Sequence, residues 1–308
     1  MKINLSVIIP VYEAQKTLVR TINSINNQFI SDKNLKVELI LIIDDGKKYN
    51  KFLPKLKNNF YLRIFKTNGI KTGPGNARNL GGDKAKGKYI GFLDADDEWS
   101  DSYLEKMYNL VKLNGIAFSP TYVFDNGKLI KKFEGQNTGY LQLSDIGKVP
   151  CSFHPFIKKS KQIKFKLLKS QDVYNTSYIL NKHKRKIKIA EGVYYKLNIQ
   201  KNSVTKEEGF SHKINLAYKK YQIISQKEKH NKISREFAIR RINNLKFIEW
   251  SKSNVGGYYD YLSQKGVQTM EKTKVCIFDA YGTLFDVNAA CRELSIKVGE
   301  KWQELATL

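Results

Sequence analysis

The residues best suited to chemistry are four acids packed into FLDADDEW, residues 92–99, where an apolar run ends in Asp94, Asp96, Asp97 and Glu98. A second apolar run, Leu39 to Ile43, stops in the same way at Asp44 and Asp45. Carboxylates held this close repel one another, and a helix start needs only one capping residue, so their density calls for a cation. In an extended backbone Asp94 and Asp96 point to the same side. Two hard oxygen donors so spaced suit Mg²⁺ or Mn²⁺, and such an ion would bridge to a diphosphate. Asp97 and Glu98 are left to the first turn of a helix near Ser100, where acids complement the helix dipole.

The elements that must position these acids alternate between strand and helix. Residues 5–12, 37–46, 60–67 and 88–97 read as strands; the five consecutive apolar residues Leu39–Ile43 mark a strand buried on both faces. Residues 13–28 read as a helix with Leu18, Ile22 and Ile25 on one face. Residues 73–87 open on a glycine turn and continue as a helix. A further helix spans 100–115, with Ser102 and Glu105 at capping-box spacing and Gly115 at its end. This order predicts an α/β fold with a mostly parallel sheet flanked by helices, and ligands beyond the carboxyl ends of its strands. Residues 118–205 are mixed, and 206–262 read as helical and polar.

The chain has 308 residues and a formal net charge of +25, which calls for an anionic partner: nucleic acid, lipid headgroups or a phosphorylated small substrate. No aromatic RNA-binding motif or zinc-finger spacing is present, so nucleic acid is not expected. Cys151, Cys276 and Cys291 have no metal or disulfide spacing, in keeping with a reducing compartment. The opening MKINLSVIIPVYEAQ reads as a first strand rather than a secretion signal. No apolar run approaches the roughly 20 residues of a membrane span.

Five ordered blocks across residues 3–205 resemble glycosyltransferase family 2, the inverting enzymes of GT-A fold: SVIIPVYEAQKTLVRTINSINNQ, LIIDDG, GPGNARNLGGDKAKGKYIGFLDADD, FKLLKSQDVYNTSYIL and IAEGVYYKLNIQKNSVT. The resemblance implies transfer of a sugar from a nucleoside diphosphate, UDP first among the candidates, to a glycan or lipid-linked acceptor of surface polysaccharide. It implies that Pro10, Tyr12 and Glu13 lie by the nucleotide, that Asp45 bonds the base and that Asp44 supports the turn. Asp94 would face the ribose and diphosphate as a metal-side partner, Asp96 would be the main ligand of Mn²⁺ or Mg²⁺, and Asp172 would be the catalytic base. Arg78 has two open roles, tying loops together or reaching the nucleotide. Gln171 stands where the family often has Glu, and Gln200, followed by Lys201, where many relatives have His or Arg. Gly73 and Gly75 read as turn residues rather than a dinucleotide cradle. His154, the one histidine near the acceptor side, reads as a packed residue rather than a ligand. Asp172 is the one acid among eleven Lys and Arg residues from Lys158 to Ala190. That basic tract reads either as a solvated face or as a dock for anionic membrane. The expected location is cytoplasmic, peripheral to the inner face of the plasma membrane.

Composition breaks after residue 269: residues 1–269 carry 49 cations and 23 acids, and 270–308 carry five and six. KVCIFDAYGTLFDV (274–287) resembles the opening of the haloacid dehalogenase superfamily, most closely the 2-haloacid dehalogenases, in which an aspartate at the position of Asp279 is the nucleophile. The later blocks of that family are missing, so 270–308 reads as a fragment with a vestigial nucleophile. The expected organisation is a GT-A domain over 1–205, a helical extension over 206–262, and a linker with the truncated dehalogenase-like piece over 263–308. The alternatives are a catalytically inactive basic adaptor on a transferase scaffold and a dehalogenase-type hydrolase.

Overall fold

Strands β1 (Leu5–Val11), β2 (Val37–Ile43), β3 (Phe60–Lys66) and β4 (Tyr89–Phe92) are parallel neighbours in the order β3-β2-β1-β4. The antiparallel strands β10 (Phe156–Lys158) and β6 (Ile116–Ala117) extend the sheet beyond β4. The continuous apolar runs explain this central placement. Val7, Ile9, Leu39 and Leu41 enter one core and Ile8, Ile40 and Ile42 the other, so β1 and β2 are buried on both faces.

The structure is a computed structural model and describes residues 2–134, 139–159, 164–199 and 209–264. The expectations for 270–308, Asp279 included, and for Gln200 and Lys201 lie outside the described residues. The first compact unit runs to Gln264, so the helical extension belongs to the same unit as the sheet.

Helix α1 (Leu18–Asn26) covers one face of the sheet through Leu18, Ile22 and Ile25. Helix α2 (Pro74–Lys84) covers the other. It lies close to β1, because a Cβ at Gly81 would stand 2.4 Å from Ile8 Cγ2. Helix α3 (Tyr103–Asn114) ends at Gly115, as its sequence predicts. The expected capping box at its start is not formed: Ser102 is left-handed with φ 60° and makes no side-chain cap. Glu105 is engaged elsewhere, accepting from the Ser31 N–H at 3.0 Å.

A second sheet of four strands and a separate antiparallel pair, β9 (Tyr140–Leu141) with β11 (Ile187–Lys188), complete the frame. β5 (Glu98–Trp99) pairs with β12 (Tyr195–Ile199), which continues to β7 (Thr121–Asp125) and β8 (Lys128–Phe133). Asp97 and Glu98 therefore do not start a helix. Glu98 lies in a strand, Asp97 is buried in the turn just before it, and α3 begins five residues after Glu98.

Helices α4 (Gln171–His183), α5 (Phe210–Lys227) and α6 (Asn231–Ser251) pack into the core on the α2 side, through Val173, Tyr221 and Phe237 among others. Arg240 of α6 is buried and donates to the carbonyls of Ile146 (2.7 Å), Val149 (2.6 Å) and Cys151 (2.8 Å). Glu236, one turn earlier, accepts the Gly147 N–H at 2.9 Å. The loop before β10 is thus fastened to α6. Among the described residues no helix is long and apolar enough to cross a membrane.

Candidate active site

The strand order β3-β2-β1-β4 reverses between β1 and β4, and the crevice beyond their carboxyl ends is where an open parallel sheet binds its ligands. The chain leaves β1 there through Tyr12 and Glu13, leaves β2 through Asp44 and Asp45, and leaves β4 into Asp94–Asp97.

Asp44 is a turn residue, as expected. Its oxygens accept from the Thr67 hydroxyl (2.7 Å), the Thr72 N–H (3.0 Å) and hydroxyl (2.6 Å), and the Gly73 N–H (2.8 Å). Asp45 takes the Glu13 N–H at 2.9 Å, the Tyr49 hydroxyl at 2.6 Å and the Lys47 N–H at 3.0 Å. Burial alone would raise its carboxyl, but these donors hold it below the ordinary value. Asp45 thus joins the β1 and β2 exits, and Glu13 adopts φ 49° where it donates. Tyr12 is 40% exposed at the mouth of the crevice, and Pro10 lies within β1.

The acidic stretch is a turn rather than an extended run. The Asp97 N–H donates to the Asp94 carbonyl at 3.1 Å, so Asp94 and Asp96 do not simply alternate along a strand. Arg78, on α2 and 2% exposed, pairs with Asp94 Oδ1, while His154 Nε2 faces Asp94 Oδ2 at 3.6 Å. Burial would raise the Asp94 carboxyl; the Arg78 guanidinium and His154 outweigh it and hold it well below the carboxylate range. Asp97 is buried, accepting from the Tyr195 hydroxyl at 2.8 Å and the Asn198 N–H at 2.8 Å. Burial and the charges of Asp96 and Asp94 nevertheless push it well above its ordinary value. Asp96 is raised to about 6, first by burial and then by the Asp94 charge. Its carbonyl is held by Arg20 (2.6 Å) and by the Asn198 side chain (3.2 Å).

Asp172 sits in the first turn of α4, where Oδ1 accepts the Val173 N–H at 2.9 Å. That helix start is pressed against α2: a Cβ at Gly75 would lie 2.8 Å from the Lys166 carbonyl and 3.3 Å from Gln171 Cγ. Gly73, with φ 98°, is a turn residue, whereas Gly75 lies within α2. The two roles left open for Arg78 meet here. It ties α2 to Asp94, yet Nε and Nη1 have no hydrogen-bond partner among the described residues, and the same is true of Gln171 Oε1. Buried polar atoms left this way are costly, and they favour a polar ligand in the crevice.

Among the described residues no group of three or more His, Cys, Asp or Glu side chains is arranged to hold a metal. The chemistry of the turn still fits one held mainly by its ligand. Asp94 is occupied by Arg78 and His154, whereas Asp96 has a carboxyl whose charge its surroundings do not neutralise. Mg²⁺ is commonly bound through one or two carboxylates, with substrate phosphates and water completing its shell.

His154 is packed, as its sequence context predicts, but its approach to Asp94 is not legible in the sequence, nor are the contacts of Tyr195 and Asn198 with Asp97. The latter contacts join residues 98 and 101 positions apart, and no local pattern reports them.

The chain is similar to several known proteins. AmsB of Erwinia amylovora, an amylovoran biosynthesis glycosyltransferase, is 31% identical over 144 residues, 42% of this chain and 45% of that protein. The chain thus spans about half the length of relatives such as AmsB. TarP of Staphylococcus aureus, a poly(ribitol-phosphate) β-N-acetylglucosaminyltransferase, is 28% identical over 267 residues, 78% of this chain and 79% of that protein. The fold matches crystalline S. aureus TarS in complex with UDP-GlcNAc, with TM-score 0.55 and 17% identity over 73% of this chain and 71% of that one. The model of glycosyl transferase family 2 matches residues 6–180, and the chain belongs to that family.

Proposed function

We propose that this chain is a metal-assisted, inverting glycosyltransferase that moves a sugar from a nucleoside diphosphate, UDP in the simplest reading, to a hydroxyl of a glycan or lipid-linked acceptor in cell-surface polysaccharide synthesis. The observation that carries the reading is the acidic turn at the β1–β4 crevice, with Asp94 clamped, Asp96 unneutralised and the Asp172 helix packed against α2. Relatives named for amylovoran biosynthesis, poly(ribitol-phosphate) N-acetylglucosaminyl transfer and minor teichoic acid biosynthesis support the acceptor class.

In this reading Tyr12, Glu13 and the Asp45 turn border the nucleotide. Arg78 Nε and Nη1 and Gln171 Oε1, which lack partners among the described residues, offer polar atoms to the diphosphate-sugar, and Asp94 holds Arg78 in place. Asp96 would hold Mn²⁺ or Mg²⁺, and such an ion supplies charge neutralisation to the departing diphosphate. Asp172 takes the proton of the acceptor hydroxyl as that oxygen bonds to the anomeric carbon. The bond from that carbon to the diphosphate breaks, and its electron pair leaves with the nucleoside diphosphate. The basic tract from Lys158 to Lys188 would hold the chain against anionic lipid at the inner face of the plasma membrane.

The test is incubation with UDP-sugars and Mn²⁺, reading UDP release. Release by the wild type that falls by about 10²-fold or more in Asp172→Asn, and is lost in Asp96→Ala, is expected. Release untouched by both changes would refute these roles.

A further inference from the structure

We infer that His154 is a positioning residue: it holds the second oxygen of Asp94, so that the acidic turn offers Asp96 rather than Asp94 to the donor's diphosphate. The inference rests on the reading of that turn given under Proposed function and assigns a role to a residue which that reading does not use.

His154 is buried, and its ring lies parallel to that of Tyr195 at 4.3 Å and 15°. Tyr195 is itself immobilised. Its side chain is fully buried, and its hydroxyl accepts the Asp94 N–H at 3.1 Å and donates to Asp97 Oδ2 at 2.8 Å. The imidazole therefore stacks on the same residue that fixes the backbone of the acidic turn. The chain leading to it is fastened from two other directions. The Phe153 carbonyl accepts from Thr176 Oγ1 of α4 at 2.9 Å, and the Cys151 carbonyl accepts from Arg240 of α6 at 2.8 Å.

In that orientation Nε2 faces Asp94 Oδ2 at 3.6 Å while Arg78 holds Oδ1. Neither ring nitrogen has a hydrogen-bond partner among the described residues, and the polar atom Nε2 faces is Asp94 Oδ2. A nitrogen is costly to bury without a partner. Packing alone would be served better by phenylalanine, which keeps the stack on Tyr195 and buries no polar atom. Among the described residues, the imidazole's polarity is directed toward Asp94. With Arg78 on one Asp94 oxygen and His154 facing the other, Asp96 is the carboxylate of the turn left to serve the diphosphate.

Two variants separate the roles. His154→Phe keeps the ring and removes the nitrogens; His154→Gln loses the ring and keeps an N–H donor. UDP binding with Mn²⁺, followed calorimetrically, is expected to weaken about tenfold in His154→Phe, in the range for a residue that orients a ligand-holding carboxylate. His154→Gln is expected to stay within about threefold of wild type. In urea unfolding, the midpoint shifts of His154→Phe and Asp94→Asn are expected to be non-additive when combined. Additive shifts, or His154→Phe binding UDP as tightly as wild type, would assign His154 to packing and overturn the inference. The unfolding cycle needs no nucleotide, so it fails or succeeds independently of the transferase reading, which fails instead on wild-type protein that binds no UDP.

Discussion

Asn79 and Phe165 are joined by hydrogen bonds in both directions: the Asn79 amide donates to the Phe165 carbonyl at 2.9 Å, and the Phe165 N–H donates to Asn79 Oδ1 at 2.7 Å. Asn79 follows Arg78 on α2, and Phe165 opens the segment that leads to Asp172. This pair therefore sets the spacing between the Asp94 clamp and the proposed base. Asn79→Ala is expected to cost about 1–3 kcal/mol, because the backbone groups of Phe165 lose their partner. Turnover is expected to fall more than donor KM rises, since the substitution moves Asp172 rather than the nucleotide contacts. Steady-state kinetics with urea unfolding checks both.

Asp96 separates activity from stability. Its carboxyl is raised to about 6 from an ordinary 3.8, so the folded state binds more protons than the unfolded one between those values. Stability falls as pH rises through that window, and near neutrality the full cost of the charge is present. Asp96→Asn removes the charge. It is expected to abolish UDP release while raising Tm by about 2–4 °C, the equivalent of about 1 kcal/mol. A thermal scan in the absence of metal checks this, and a lowered Tm would show that the carboxylate is needed by the fold.

Adjacent glycines of α2 are expected to respond oppositely to the same substitution. Gly81 faces Ile8 with 2.4 Å for a Cβ, whereas a Cβ at Gly82 meets nothing within 4 Å. Gly81→Ala is expected to destabilise by about 1–3 kcal/mol through overpacking. Gly82→Ala is expected to stabilise by about 0.8–1 kcal/mol through helix propensity. Chemical unfolding of the two variants measures the contrast.

Glu38 supplies an acid-sensitive node far from the crevice. It is buried within β2 and accepts from the Ser6 hydroxyl (2.6 Å), Arg63 Nη1 (2.8 Å) and the Lys86 N–H (2.5 Å). Burial would raise its carboxyl, but these donors outweigh it and the value is lowered from the ordinary 4.5. Its stabilisation is thus complete above 4.5 and is lost as pH falls through the lower folded value. Glu38→Gln is expected to cost about 1.5–3 kcal/mol near neutrality and less below 4.5. Unfolding at both conditions checks it.

How much of this was legible in the sequence depends on the range over which each interaction acts. The runs in β1 and β2 announce burial on both faces, and the spacing of Leu18, Ile22 and Ile25 announces the buried face of α1, because these signals are local. Glu38 sits inside such a run and is invisible as a polar node, since its partners come from β1, β3 and the loop between α2 and β4. The acidic stretch announced a site but not its shape. The turn at Asp94–Asp97 and the burial of Asp97 depend on Tyr195 and Asn198 in β12, about a hundred residues away. Ser102 and Glu105 have the spacing of a cap, yet Ser31 captures the glutamate.

The bonds from Arg240 to the carbonyls of Ile146, Val149 and Cys151 have a consequence for the order in which the molecule is made. Those carbonyls lie just before His154, and their partner is synthesised some ninety residues later. On the ribosome, the sheet and its acidic turn emerge first, with one side of the crevice still open. The loop that carries His154 gains these anchors only when α6 has left the exit tunnel. A chain halted before that helix would hold every acid of the site and lack the fastening that fixes the crevice's far wall.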